Sequence, residues 1–233
     1  EATRDFLLRA RSDAEHMVLD APRDQGGSLA GFRWNVPAAA LFEGTVVTAE
    51  SLGASVPAAE LRRLTPVIDL KPWWLALRSP ATLRAPLPEG AASAHAGLCV
   101  NRGGEWEWMR GEWDSTGRNF IVQPTHLGRF ALCTDEHAPQ AWPRRVPARD
   151  PAAAPYSRWA LECGVNENGS GLDARGSYFT VDGRRRPSEW DAEKRVLRWR
   201  PRRAPARGAH SYGVTLADRA GNMSRMAGRF VLD

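Results

Sequence analysis

Between Gly164 and Ser224 short β-prone runs alternate with turn residues at nearly even spacing. Tyr178, Phe179 and Val181 lead into Asp182-Gly183, and Val196, Leu197 and Trp199 lead into Pro201. Tyr212, Val214 and Leu216 lead into Asp218-Arg219-Ala220-Gly221-Asn222. A strand, a tight turn and a returning strand about every ten residues predict an antiparallel β-sandwich. The first half carries the same signal. Phe6–Ala10, His16–Leu19, Gly31–Val36, Thr45–Ala49, Val67–Leu70, Ala81–Ala85, Gly97–Val100, Trp106–Arg110, Asn119–Val122 and Arg129–Thr134 each alternate or form short apolar runs. Pro22, Gly26-Gly27, Pro37, Gly44, Pro80, Pro86, Pro88, Gly103-Gly104 and Gly117 stand between them. About ten short strands suffice for a sandwich of their own. The best helical candidate, Ala58 to Leu64, is too short to found a helical domain.

The pattern therefore predicts an all-β chain of two tandem antiparallel β-sandwiches, spanning 1–136 and 156–233. Asp135 to Pro155 carries five prolines and little periodicity, so 137–155 reads as an extended, semi-rigid linker. One local device occurs in both halves. Glu112-Trp113-Asp114 and Glu189-Trp190-Asp191 each end a strand, and the Asp opens a turn by bonding its own backbone before apolar alternation resumes.

Composition adds compartment and charge. Hydrophobic residues make up 42% of 233 residues, enough for real cores, and a prior of roughly 100–200 residues per domain favours two domains. No run of 18 apolar residues predicts a membrane helix. Glu1-Ala2-Thr3-Arg4-Asp5 has neither a start methionine nor a signal pattern, so the chain reads as an excised or processed part of something longer. Charge is uneven: 14 basic against 17 acidic residues up to Gln140, a net of −3, and 18 against 10 from Ala141, a net of +8. A basic half suits an anionic partner, yet every basic residue except Lys71 and Lys194 is arginine, a bias that also fits a GC-rich genome. Cys99, Cys133 and Cys163 follow no C-x-x-C spacing, which argues against a zinc knuckle. Cys99 and Cys133 are expected on neighbouring strands, where they are either buried small residues or a bridge in an oxidising compartment.

Specific runs carry a family resemblance. Gly31-Phe-Arg-Trp-Asn-Val-Pro-Ala-Ala-Ala-Leu-Phe-Glu-Gly-Thr-Val-Val-Thr, then Pro80 to Pro88, Ala96-Gly-Leu-Cys-Val, Glu105-Trp-Glu-Trp, Gly111-Glu-Trp-Asp and Thr125-His-Leu-Gly-Arg-Phe-Ala-Leu resemble bacterial ZU5-like β-sandwich domains over Gly26 to Thr134. Asn168 to Asp173 and Asp218 to Asn222 resemble two loops of bacterial immunoglobulin-like modules. Together the halves are similar to the C-terminal tail of envelope-associated, lysostaphin-like zinc metallopeptidases. The resemblance implies an extracytoplasmic protein. It also directs attention to His16-Met-Val-Leu-Asp20, which fits the H-x-x-x-D zinc pair of such peptidases. No two histidines stand one residue apart to complete an H-x-H, and on a strand residues four apart lie about 13 Å apart, too far for one metal. Related domains cleave themselves at His-Phe-Ser. Here the corresponding place reads His126-Leu127-Gly128, and glycine has no side-chain nucleophile, so no self-cleavage is expected.

Among ten tryptophans, Trp106 and Trp108 alternate with Glu105 and Glu107 and so share one face. Exposed they would form a sugar-stacking platform; the reading favours burial in a core. Trp73 and Trp74 point to opposite faces if extended, and are the better candidates for an exposed aromatic surface. Trp73, Trp74, Trp106 and Trp108 are thus the candidate ligand surface. Asn166, Asn168, Asp173, Asp218 and Asn222 offer oxygens for calcium, but the same residues suit tight turns, which is the favoured reading. Arg184 to Arg186, Arg195, Arg198, Arg200, Arg202, Arg203 and Arg207 are candidates for one basic patch. Nucleic-acid binding would need aromatics interleaved on that face, and Trp199 alternates away from it. No catalytic residue, metal site or cofactor is nominated. The sequence reading is a non-catalytic targeting, spacer or interaction module, with cell-wall glycan or an envelope protein as partner. Its rivals are a carbohydrate- or peptidoglycan-binding module and the accessory part of a metallopeptidase catalysing elsewhere.

Overall fold

The computed structural model of the chain describes residues 16–19, 24–38, 40–42, 44–53, 60–102, 104–144, 148–149 and 159–232. Among the described residues every regular element is a strand. The chain divides into two compact units, Glu1–Asp135 and Glu136–Asp233.

Unit 1 contains β1 (His16–Leu19), β2 (Gln25–Leu29), β3 (Phe32–Val36), β4 (Thr45–Leu52), β5 (Leu61–Arg63), β6 (Val67–Lys71), β7 (Thr82–Pro86), β8 (Ala96–Arg102), β9 (Glu105–Trp108), β10 (Gly111–Trp113), β11 (Asn119–Val122) and β12 (Arg129–Asp135). One sheet runs β1-β4-β6-β12-β8-β9, with β5 also on β12, and the facing sheet runs β10-β11-β7-β3-β2. All pairings are antiparallel. In β3 the alternation is complete: Phe32, Trp34 and Val36 are buried while Arg33 and Asn35 are exposed. Those rings meet Ile68, Leu70, Leu98, Val100, Phe130 and Leu132 of the opposite sheet in one core. Full burial of each such side chain is worth roughly 1.5–3 kcal/mol.

β12 is buried along nearly its whole length, because both of its faces are covered. Phe130 and Leu132 enter the central core. Ala131 and Cys133 turn the other way and join Val67 and Cys99 in a thin second layer, capped by Leu52, Leu61, Trp106 and Trp108. The large sheet therefore has an outer face that is itself partly covered.

Unit 2 contains β13 (Gln140–Pro143), β14 (Ala148–Arg149), β15 (Trp159–Asn166), β16 (Tyr178–Val181), β17 (Arg184–Arg186), β18 (Glu189–Asp191), β19 (Val196–Trp199), β20 (Gly208–Ala217) and β21 (Met223–Leu232). One sheet runs β13-β15-β19-β18 with β14 on β15, and the other runs β17-β16-β20-β21. Leu161, Cys163, Val165, Leu197 and Trp199 of the first meet Phe179, Val181, Val214, Leu216, Phe230 and Leu232 of the second. Asp182 and Gly183 both have positive φ, 50° and 74°, the geometry of a type I′ hairpin turn.

Several features depart from the sequence reading. Gly26-Gly27, read as a separator, lies inside β2: Gly27 pairs with Trp34, and a Cβ there would stand 2.5 Å from the indole. A glycine opposite an aromatic recurs at Gly164 with Trp142 and Gly228 with Tyr212. The bare backbone gives each ring a place to lie, a constraint that period-two reading does not reveal. Leu61–Arg63, part of the helical candidate, is a strand on β12. The segment read as linker supplies β13 and β14, both paired with β15; Pro143 ends β13 at the sheet edge, where a missing N–H costs no ladder bond. Phe6–Ala10 lies outside the described residues.

The repeated hairpin device is present in both units. Asp114 Oδ1 accepts from the Arg118 amide at 3.0 Å and Thr116 Oγ1 at 2.7 Å, between paired β10 and β11. Asp191 Oδ1 accepts from the Lys194 amide at 3.0 Å, between paired β18 and β19.

Gly27→Ala is expected to lower unfolding stability by about 1–3 kcal/mol through overpacking against Trp34. Gly53→Ala, where a Cβ meets nothing within 4 Å, is expected to leave the denaturation midpoint unchanged. Equal midpoints for the two variants in a urea titration would contradict the packing account.

Candidate functional site

The outer face of the unit 1 large sheet gathers most of the aromatic residues that the sequence singles out. Register builds it. Trp106 pairs with Asn101, Asn101 with Arg129, Arg129 with Asp69, and Asp69 with Glu50. The five residues thus form one row across β9, β8, β12, β6 and β4, about 19 Å long at the usual strand spacing.

At the centre of the row Asp69 is fully buried, although its strand neighbours Ile68 and Leu70 face the central core. A buried carboxylate on a central strand is tolerated only when other groups replace its water. Trp73 Nε1–H donates to Asp69 Oδ1 at 2.6 Å, and Arg129 Nε–H donates to Oδ2 at 3.2 Å. Lys71 Nζ lies 3.6 Å from Oδ2 and 3.2 Å from Glu50 Oε2. The Arg129 guanidinium lies 4.4 Å from the centroid of a Trp73 ring, so one arginine holds both the acid and the indole. Trp73 is thereby half-buried and fixed. Its neighbour Trp74 is 77% exposed, on the turn closed by the Leu75 amide bonding to Pro72 O at 3.1 Å.

Trp106 and Trp108 share a face, as alternation requires, but not the central core. They lie half-buried over the layer formed by Val67, Cys99, Ala131 and Cys133, and a Cβ on Gly97 would meet the Trp108 indole at 2.4 Å. Small residues on the outer face leave these rings a seat with part of each exposed, which corrects the expectation of core burial. Two further groups carry no sequence signal of their own. Phe42 is 72% exposed with the Arg78 guanidinium 5.0 Å from its centroid. Arg129 sits 60 residues from Asp69 in sequence, and only the strand register joins them. The sign that was available is the acid itself, an Asp inside the apolar run Val67-Ile-Asp-Leu70.

This face offers partly exposed indoles for stacking and, beside them, a cation from Lys71 and a carboxylate from Glu50, each close to half exposed. Stacking plus peripheral hydrogen bonds is the chemistry of holding a polar, ring-built ligand.

The other candidates resolve into structural roles. Cys99, Cys133 and Cys163 are buried and unbridged. The Cys99 thiol is driven upward by its hydrogen bond with Cys133 and by burial, and burial pushes Cys163 up to about 12; neither is a thiolate near neutral pH. Asp173 receives the amides of Arg175 and Gly176 at 3.0 and 3.1 Å. Asp218 receives the Asn222 amide at 2.8 Å and its side-chain N–H at 2.7 Å. The bonds of Asp173 and of Asp218 with Asn222 are turn-forming, as the sequence reading favours, whereas Asn166 and Asn168 accept from the Arg195 guanidinium, 29 and 27 residues away. Asp20 lies outside the described residues, as does the side chain of His16. The arginines divide. Arg198 pairs with Glu162, Arg195 with the two asparagines, Arg185 covers the Tyr178 ring, and Arg186, Arg200, Arg202 and Arg203 line a cleft. No helix among the described residues is long and apolar enough to cross a membrane.

His210 fastens one wall of that cleft. Its Nδ1 lies 2.7 Å from Asp182 Oδ2 and its Nε2 lies 2.8 Å from the Ala206 carbonyl, while its ring stacks on Phe230 at 5.1 Å. With an acceptor at each nitrogen, the doubly protonated ring satisfies both. The Ala206 carbonyl, then the Asp182 carboxylate, raise the imidazole above its ordinary value. The bond from His210, then that from the Ser211 amide, lower Asp182.

Asp69→Ala is expected to cost about 1–3 kcal/mol by leaving the Trp73 indole N–H without its acceptor, and to release Trp73, seen as loss of hydrogen-exchange protection at that N–H. Retained protection would contradict the clamp. For His210, a folded-state value above the unfolded one means that its contribution is complete below the unfolded imidazole value, near pH 6.5. It is lost as pH rises through the raised value. The chain is therefore expected to lose stability across that window, and His210→Gln to remove this part of the pH dependence; identical stability–pH curves would contradict it. No protein-family model matches the chain, and comparison with curated proteins gives no match.

Proposed function

We propose that this chain is a non-catalytic interaction module of a bacterial extracytoplasmic protein, and that the outer face of the unit 1 large sheet is where it meets a cell-wall sugar polymer. The observation that carries this reading is the Asp69–Arg129–Trp73 clamp. A buried acid, a cation and an indole are held together on an outer sheet face, with Trp74 standing exposed beside them. A fold needs no such arrangement for its core, since the central core lies on the opposite face of the sheet. Holding aromatic rings in place before a ligand arrives lowers the entropy lost on binding.

Within this reading the two units are ZU5-like and immunoglobulin-like modules, a view supported by their antiparallel, two-sheet build and by the loop motifs at Asn168–Asp173 and Asp218–Asn222. The role is targeting or spacing: the module brings an attached activity to the envelope and performs none itself.

Sedimentation with purified peptidoglycan sacculi tests the proposal. The wild-type chain is expected to co-sediment, and Trp74→Ala combined with Trp106→Ala to weaken association about tenfold, a loss of one or two stacking contacts. The double variant is expected to remain folded at a somewhat lower denaturation midpoint, because Trp106 packs on the outer layer while Trp74 is 77% exposed, and sedimentation is compared under conditions where both forms are native. Co-sedimentation unaffected by the double substitution, or release of soluble muropeptides by the isolated chain, would overturn it.

A further inference from the structure

We propose that the arginine-lined cleft of unit 2 binds a small oxyanion-bearing ligand, a carboxylate or phosphate attached to a body with an apolar face. The cleft has a volume of about 830 Å³ and is lined by Arg186, Trp199, Arg200, Arg202, Arg203 and His210 among others. That size falls within the usual range for small-molecule sites, roughly 300–1,000 Å³.

Charge points to the ligand's sign. Four guanidiniums and an imidazole face one acid, Asp182, and that carboxylate is already taken up by His210, at 2.7 Å, and by the Ser211 amide, at 3.0 Å. Among the described residues Asp182 is the one acid lining the cleft, so the rim formed by Arg186, Arg202 and Arg203 is electropositive, and it lies in the half of the chain that carries a net +8. Such a field concentrates anions and steers them inward.

A second, independent observation concerns Arg186. Its Nε is buried and has no hydrogen-bond partner among the described residues, while its guanidinium lies 5.6 Å from the centroid of Trp199. A buried donor left unmet costs free energy, and an oxyanion seated in the cleft supplies the missing acceptor. Arginine meets carboxylate and phosphate through paired N–H groups, which accounts for the shared chemistry of the two sources.

The remaining walls favour an apolar body behind the charge. Trp199, Pro201 and Pro205 also line the cleft, and the two prolines restrict the backbone of the Arg-rich loop. The bond from His210 to the Ala206 carbonyl ties that loop to β20, so the cationic rim is positioned in advance.

Isothermal titration of the 233-residue chain at low ionic strength tests this site with three probes: inorganic phosphate, a glucuronate disaccharide and its neutral glucose counterpart. At least one anion is expected to bind, the neutral sugar is not, and Arg186→Gln and Arg203→Gln are each expected to weaken binding about tenfold. Preference for phosphate or for glucuronate identifies the source of the oxyanion, and either supports the site. Because Arg186 covers Trp199, its substitution can disturb packing; Arg203 is exposed, and Arg203→Gln keeps the test decisive. Absence of anion binding by the folded wild-type chain, binding of the neutral sugar equal to the anion, or wild-type affinity in Arg203→Gln would overturn the proposal. The site lies in unit 2 and does not rest on the unit 1 reading, so Trp74→Ala and Trp106→Ala are expected to leave these titrations unchanged.

Discussion

The structure depends on a single constraint in β12, β8 and β6: successive side chains leave a strand on opposite faces, and here both faces are used. Phe130, Leu132, Leu98, Val100, Ile68 and Leu70 go to the core between the sheets. Ala131, Cys133, Cys99 and Val67 go to the outer layer, and Asp69 and Arg129 lie on that outer side beside them. A slip of one residue in β6 would send the acid into the central core and Ile68 and Leu70 out, and a slip in β8 would likewise expel Leu98 and Val100. Register is therefore fixed by energy on both sides, and the outer surface inherits that rigidity.

From this follows the unusual position of Asp69. An acid with no solvent exposure survives on a central strand because its register partner is an arginine and because Trp73 folds back to donate to it. Neither group would do alone. Arg129 supplies charge but is one-third exposed, whereas the indole closes the site against water and gains a cation over its ring. The arrangement stabilises the turn that displays Trp74, so a demand of burial creates a surface feature.

Much of the fold was legible because period-two alternation needs only local sequence. Phe32, Trp34 and Val36, or Tyr178 to Val181 running into Asp182-Gly183, announce their strands and turns without help from the rest of the chain. What escaped the reading depends on partners distant in sequence. The glycines of β2 look like a break until Trp34 is seen lying across Gly27. The prolines near 143 look like a linker until β15 provides an edge to pair with. The candidate surface was half legible for the same reason. Trp73, Trp74, Trp106 and Trp108 are conspicuous as residues, yet their shared dependence on Asp69, Arg129 and the small side chains of β8 and β12 arises only from the sheet order. The cleft of unit 2 was visible as a density of arginines, but which of them pair internally, as Arg198 does with Glu162, and which line the cleft was not.

The two units, described separately, present different chemistries: partly exposed indoles on one sheet face, and guanidiniums around a small cleft. The central claim is that the first of these is a ready-made face for a sugar polymer. Nuclear magnetic resonance of the indole N–H groups during titration with soluble peptidoglycan fragments tests it most directly. The account predicts that the Trp74, Trp106 and Trp108 resonances shift together and saturably, while the N–H of Trp73 stays protected throughout. Unmoved Trp74, Trp106 and Trp108 resonances at saturating fragment, or a Trp73 N–H that exchanges as freely as that of Trp74, would contradict it.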